Sequence, residues 1–311
     1  MKLRRKSLAV AAGIVLALGI PVLVLFSRSP VLIITDFSFI SIYGENRIRL
    51  EALQSSLELF RPVKPVVIAD EAGEDILLFA VTQASSRPYC VIFPLRFAGT
   101  AKLYREQRPE TPVVLLEGRF PVDTGNPAAF SIPGYNSGDY YIYTTDIDAD
   151  FYLAGVAAAA LDGDKNGTVV VFCDYLIQRE AREALLRGLN ARNKYLETHF
   201  FNSFSQYSAI SDLSCVILAG SGAEYLEKSS EIPVIYFTWL DPSLLPNDVT
   251  LVFNDSPWVQ AVPAVRMAAA GTTKGRIQSK MKNIPAGKTS KDYSLTPKDF
   301  RTKSLKRQQM I

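Results

Sequence analysis

Pro30–Asp36, PVLIITD, is followed by Glu45–Phe60, ENRIRLEALQSSLELF, and then by Pro65–Ala69, PVVIA. The first stretch is continuously apolar until it closes on Thr35 and Asp36. Apolar runs of that length suit strands covered on both faces, as in parallel sheets. In the second stretch Ile48, Leu50, Leu53, Leu57 and Phe60 recur at helical spacing. The third is again a short apolar run. Strand, helix and strand in this order predict a right-handed βαβ unit, the building block of a parallel α/β sheet.

The rhythm continues on both sides of a break. Asp75–Ala84 and Thr100–Gln107 read as helices, and Pro88–Pro94 and Thr111–Leu116 as strands. Pro121–Gly138, rich in Gly, Pro, Asn and Ser, interrupts the alternation and reads as an irregular connection. Strands resume at Tyr140–Thr144, Thr168–Cys173, Tyr195–Phe201, Leu213–Ala219, Pro233–Phe237 and Val249–Phe253. The helices among them are Asp150–Leu161, Arg179–Arg192, a segment from Gly222 through Lys228, and Val259–Ala270. The Ala-rich DFYLAGVAAAAL helix is of a kind that packs closely. The expected fold is therefore α/β, with two Rossmann-like lobes of parallel sheet. Residues 30–139 plus about 250–271 would form the first lobe, and residues 140–249 the second.

The N-terminus is of a different character. Lys2, Arg4, Arg5 and Lys6 precede an uncharged run of 20 residues, Ser7–Phe26. At a rise of about 1.5 Å per residue, such a helix crosses a hydrocarbon core about 30 Å thick. Residues 1–6 are thus expected to be cytoplasmic, 7–26 a transmembrane signal-anchor, and the body periplasmic or extracytoplasmic, by the positive-inside rule. A cleaved signal peptide has the same charge order. Against it, the run is longer than the usual signal core, and Ser27-Arg28-Ser29-Pro30 holds no small-x-small cleavage site.

Charge is unevenly spread. Residues 271–311 carry 11 Lys/Arg against 2 Asp/Glu, or +9, so within a total of +3 the remaining chain carries −6. An acidic body with a basic tail is unlike a nucleic-acid-binding domain, and no nucleic-acid partner is expected. The tail, residues 272–311, is poor in hydrophobics and reads as disordered; anionic lipid is a candidate partner for it.

Enzyme chemistry finds little support. There is no GxxxxGK[ST], no HExxH and no GxSxG. The single histidine, His199, lies in a strand-like run, and Cys90, Cys173 and Cys215 are widely spaced. No metal, cofactor or disulfide is expected from them. Asp146, Asp148 and Asp150 alternate but lack the glycine and glutamate of a calcium loop, and read as a capping region. In open α/β sheets, ligands bind beyond the carboxyl ends of strands. That rule selects Asp36, Phe37, Phe39, Arg96, Phe97, Asp174, Tyr175, Ser221, Trp239, Asp241, Asn254, Asp255 and Trp258 as candidate ligand-binding residues. Aromatic faces stack on flat rings or sugar faces, and carboxylates accept hydrogen bonds from hydroxyls. The competing reading makes Asp174 and Asp255 helix N-caps, and Trp239 and Trp258 core.

Two α/β halves behind an export segment resemble the type I periplasmic binding protein fold. Several stretches look closer to the basic membrane protein family, solute receptors of ABC transporters that include purine-nucleoside-binding lipoproteins. The run Asp150–Ala158 followed by Asn166–Phe172 resembles that family's FLAG-x-AA helix and GKVGF strand. Ser211–Gly222 resembles its D-x-I-F-x-x-x-G strand and Gly-rich turn, and Gly271 with Lys274-Gly275 its terminal G-x-x-K-G. Together with the anchor, the resemblance implies a membrane-anchored, non-catalytic protein that takes a small polar, nucleoside- or sugar-like ligand in a crevice between lobes, either passing it to a membrane permease of the ABC type or acting as a sensor. Three departures weaken the nucleoside part. Thr35–Ile40 lacks the family's glycines, Phe237–Asp241 lacks its paired aspartates, and Cys173-Asp174 replaces the Gly-Gly after the GKVGF strand. The alternative is an envelope structural or interaction protein that keeps the fold without the pocket.

Overall fold

A computed structural model describes residues 23–70, 72–118, 140–163, 166–208, 210–227, 231–240 and 242–284. Most of the apolar run 7–26, the connection Pro121–Gly138, Asp241 and the segment 285–311 lie outside the described residues. Among the described residues, no helix is long and apolar enough to cross a membrane.

The chain forms β1 (Val31–Asp36), α1 (Phe37–Tyr43), α2 (Glu45–Leu59), β2 (Val63–Ile68), α3 (Glu74–Ala84), β3 (Cys90–Pro94), α4 (Ala98–Gln107) and β4 (Val113–Glu117). It continues as β5 (Tyr141–Thr145), α5 (Ile147–Asp162), β6 (Thr168–Cys173), α6 (Tyr175–Asn190), β7 (Glu197–Phe201) and β8 (Leu213–Ala219). β9 (Val234–Phe237), β10 (Val249–Asn254), α7 (Pro257–Ala269), β11 (Lys274–Ile277) and β12 (Lys280–Asn283) complete it.

These elements build two compact units. The first holds a sheet in the order β11-β5-β4-β3-β1-β2, and the second a sheet in the order β12-β10-β9-β8-β6-β7. β1 runs parallel to β2 and β3, and β3 parallel to β4. In the second sheet β6 is parallel to β7 and β8, β8 to β9, and β9 to β10, while β12 closes the edge antiparallel to β10. Burial follows position. β1, β6 and β10 are buried at every residue, whereas the edge strands β2 and β7 are partly open. Strand periodicity divides the second core into two layers. Val169, Val171, Cys215 and Ile217 pack with α5 and α6, while Val170, Phe172, Val216 and Leu218 pack on the opposite face.

The Ala-rich helix packs closely, as its composition predicts. A Cβ on Gly188 of α6 would stand 2.1 Å from the Tyr152 carbonyl oxygen of α5, and one on Gly155 would stand 2.3 Å from the Leu185 oxygen. At the end of α5, buried Asp162 accepts from Gly167 N (2.9 Å) and Ser214 Oγ (2.5 Å) and pairs with Lys194 (3.1 Å). Asp146 caps α5 through Ala149 N (3.1 Å), Asp148 pairs with Arg187, and buried Asp150 accepts from the backbone N (3.0 Å) and hydroxyl of Ser279. The alternating aspartates therefore serve the helix start and its neighbours.

Three expectations need correction. The basic tail does not begin at Thr272: Lys274–Ile277 and Lys280–Asn283 are strands, because edge backbone groups of β5 and β10 take them as ladder partners regardless of their charge. The segment 250–271 is not wholly of the first lobe. β10 belongs to the second sheet, and the division falls at Gln260/Ala261 inside α7; conversely β5, expected in the second lobe from residue 140 onward, pairs into the first sheet beside β4. The segment after Gly222 is a short 3-10 helix, Ala223–Glu227.

Candidate functional site

Both sheets share one ordering logic. In the first unit β1 connects outward to β2 on one side and to β3 on the other, so the order reverses between β1 and β3. In the second unit the reversal falls between β6 and β8. Strand connections diverge at such a switch point and leave the carboxyl ends open to a ligand.

At the first switch point stand Asp36, which ends β1, and Arg96, two residues past β3. The Arg96 guanidinium pairs with Asp36 Oδ2 and lies over the Phe97 ring at 4.8 Å. Asp36 Oδ1 accepts from Phe39 N (2.8 Å), so the same carboxylate caps α1. Sequence periodicity gives no warning of α1, and its presence revises two candidates. Phe39 is buried and stacks on Tyr43 at 4.9 Å as part of the core, while Phe37 points outward and is exposed. Neighbouring Asp70, not among the candidates, accepts from Ser38 N at 2.8 Å. Glu117 at the end of β4 was also overlooked; burial raises its carboxyl pKa, the mark of a carboxylate held away from water. The strand-end rule itself could have found it, had β4 been extended by one residue.

At the second switch point Asp174 caps α6 through Leu176 N (2.8 Å), as the N-cap reading expects. Tyr175 opens that helix and is exposed. Ser221 follows β8 between Gly220 (φ +99°) and Gly222 (φ +78°). A Cβ on Gly222 would stand 2.3 Å from the Phe172 ring, so these glycines serve backbone conformation and packing.

The ends of β9 and β10 bring three candidates together. Trp239 donates its indole N–H to Asp255 Oδ1 (2.8 Å), and Thr145 Oγ1 donates to Asp255 Oδ2 (2.9 Å). Gln260 Nε2 donates in turn to Thr145 Oγ1 (3.1 Å). Asp255 is therefore not an N-cap. Its side chain is fully buried inside a polar network, and Asn254 takes the local turn instead by accepting from Ser256 N (2.9 Å). Trp258 is buried, in keeping with the core reading. Sequence periodicity does not single out Thr145, Ser256 and Gln260, since an isolated polar residue within or beside an apolar element carries no periodic signal.

Polar groups removed from water are normally hydrogen-bonded. Among the described residues, buried side-chain atoms without a protein partner include Thr35 Oγ1, Ser221 Oγ, Ser256 Oγ and Trp258 Nε1. These four lie at the carboxyl ends of parallel strands or just beyond, whereas a fifth, Tyr104 Oη, lies on α4. Elsewhere the chemistry is quiet. No group of three or more metal-ligating side chains occurs among the described residues. The three thiols are buried, and burial pushes Cys90 and Cys173 up to about 12 and raises Cys215 as well. His199 is partly exposed on β7 beside Glu197 (2.9 Å). A 420 Å³ recess lined by Ala159, Gly163, Arg192 and Lys194 lies at the carboxyl-terminal ends of α5 and α6 in the second unit, on the side of the strands' amino ends.

No protein-family model matches the chain, and no curated protein sequence matches it significantly. Solved structures of similar layout include an ABC transporter periplasmic solute-binding protein from Actinobacillus succinogenes with bound D-allose, at 11% identity and a TM-score of 0.48, covering 82% of this chain and 97% of that one. A solute-binding protein from Agrobacterium vitis bound with α-D-tagatopyranose matches at 14% identity and a TM-score of 0.46, covering 85% and 97%. The dimeric Lac repressor matches at 11% identity and a TM-score of 0.45, covering 83% and 98%. These are resemblances of arrangement, and what each of those proteins binds is a property of that protein.

Proposed function

We propose that this protein is a membrane-anchored, extracytoplasmic solute-binding protein that takes a small polar ligand of the sugar or nucleoside kind at the carboxyl edges of its parallel sheets. The observation that carries the reading is the set of buried, unpartnered polar atoms at those edges: Thr35 Oγ1, Ser221 Oγ, Ser256 Oγ and Trp258 Nε1. A buried polar group left unpaired costs about 1–3 kcal/mol, and a hydroxyl-rich ligand offers both donors and acceptors to recover it. Within the second unit, Trp239 and Asp255, at the same strand ends as Ser256, supply a ring face and a carboxylate. No catalytic step is assigned. Delivery to an ABC-type permease and membership of the basic membrane protein branch belong to this same reading. So does anchoring by Ser7–Phe26 with the N-terminus in the cytoplasm, which rests on the basic cluster before that run.

The two tryptophans of the chain, Trp239 and Trp258, both lie at the candidate site. Titration of the full-length chain in detergent with a panel of sugars, nucleosides and amino acids should therefore change its intrinsic fluorescence saturably for at least one class, and Ser256→Ala should weaken that response. A flat response across the panel would overturn the proposal. A second reading, an envelope interaction protein without a ligand, is favoured by one feature. Asp36 and Asp255 have both carboxylate oxygens engaged by the protein's own donors. It expects the flat response, together with a Trp258→Phe variant at least as stable as the parent.

A further inference from the structure

We infer that the outer face of α2 is a docking surface for an anionic lipid bilayer. Leu50, Leu53, Leu57 and Phe60 stand three, four and three residues apart, so they form one stripe along the helix and its C-cap. They are 54%, 55%, 61% and 38% exposed. The opposite side, with Ile48, Ala52, Ser55 and Ser56, already covers the sheet. A surface helix of a soluble unit normally turns polar residues outward. α2 instead presents a row of leucines, and contiguous apolar surface of this kind marks an interaction site.

The course of the chain says what covers it. The apolar run ends at Phe26, and β1 begins five residues later at Val31, a reach of at most about 17 Å. Val31 N donates to Pro62 O (2.8 Å), and the Arg28 guanidinium lies over the Phe60 ring at 4.7 Å. The stripe therefore ends where the apolar run enters the fold. At the same place Arg61 lies over Tyr89 at 3.8 Å, and Glu58 is matched by Arg266 at 3.7 Å. Two arginines backed by aromatic rings, next to leucines, suit the headgroup level of a bilayer. Rings and aliphatic stems sit at the hydrocarbon boundary there, and guanidinium groups reach anionic phosphates. A helix with this pattern lies in the interface plane.

The inference rests on the anchor reading of residues 7–26, and the test separates the two. The native thiols are buried, so a single introduced cysteine takes a spin label selectively. The full-length chain carrying Leu53→Cys or Leu57→Cys is reconstituted in phosphatidylglycerol-rich vesicles, with Tyr195→Cys as the exposed control in the second unit. Labels at positions 53 and 57 should be relaxed more by oxygen, which partitions into lipid, than by a water-soluble nickel chelate. The order should reverse at position 195, and neutral phosphatidylcholine or Arg61→Gln should diminish the effect. Water-like labels at 53 and 57 on a chain that survives an alkaline wash overturn the docking and leave the anchor standing. Lipid-like labels on a chain that the wash removes uphold the docking and overturn the anchor. Spin–spin broadening that disappears on dilution with unlabelled chain assigns the stripe to a second copy and also overturns the inference.

Discussion

At the residue scale, two carboxylates of the second unit show how burial turns an ordinary side chain into a structural commitment. Burial alone would raise the pKa of Asp162, but the hydrogen bonds from Ser214, Gly167 and Lys194 and the charge of Lys194 outweigh it, and the net shift is downward. A depressed folded-state value stabilises the fold above the unfolded carboxylate pKa, and that stabilisation is lost as pH falls through the folded value. Asp162→Asn should therefore lower stability at neutral pH by about 3 kcal/mol, the scale of breaking a buried pair, and flatten the acid limb of a denaturation-versus-pH series. Asp255, also buried, accepts hydrogen bonds from Trp239 Nε1 and Thr145 Oγ1. Trp239→Phe removes the indole donor together with one ring of the side chain, so it should cost at least about 1–3 kcal/mol by chemical denaturation. At this scale much was legible. Asp36, Arg96, Asp174 and Trp239 are where strand-end logic places them, because a strand's end follows from its apolar run. Their partners were not legible, since the Trp239–Asp255–Thr145 network joins the ends of β9 and β10 to a residue of β5 more than a hundred positions earlier.

At the element scale, periodicity identified the long helices and the buried strands and failed on short or charged segments. α1 has seven residues, five of them apolar, and its polar face of Ser38 and Ser41 is too short for a helical period to stand out. β11 and β12 read as tail because their composition is basic, yet both pair in the sheets. Truncation after Gly271 should therefore destabilise the fold, since it strips an edge strand from each sheet and removes the Ser279 donors to buried Asp150. A tail without structure predicts no change in the melting curve. The close packing of α5 on α6 gives a sharper test. Gly188→Ala places a methyl against the fixed Tyr152 carbonyl, and overpacking against backbone should cost about 1–3 kcal/mol or more. Ala184→Gly on the same helix, a lost methyl without overpacking, serves as the comparison in thermal unfolding.

At the scale of the whole molecule, the basic cluster and the apolar run of 20 residues predict a topology that needs no detail of the fold. Expressed in a bacterial host, the full-length chain should remain in the membrane fraction after an alkaline wash. Protease added outside spheroplasts should degrade its body while a cytoplasmic marker survives. The sequence alone determined the two α/β halves and the parallel character of their sheets. Uninterrupted apolar strands and amphipathic helices of the observed lengths have few other ways to bury their surfaces. Tertiary structure alone decided which strand joins which sheet, as β10 and the two C-terminal strands show. It also decided which polar side chains meet at the strand ends and which of them are left without a partner. Those outcomes depend on hydrogen bonds and packing between residues up to more than a hundred positions apart, such as Thr145 with Asp255 and Asp150 with Ser279. Local composition carries no record of such pairings, because each residue's partner is chosen only when the sheets assemble.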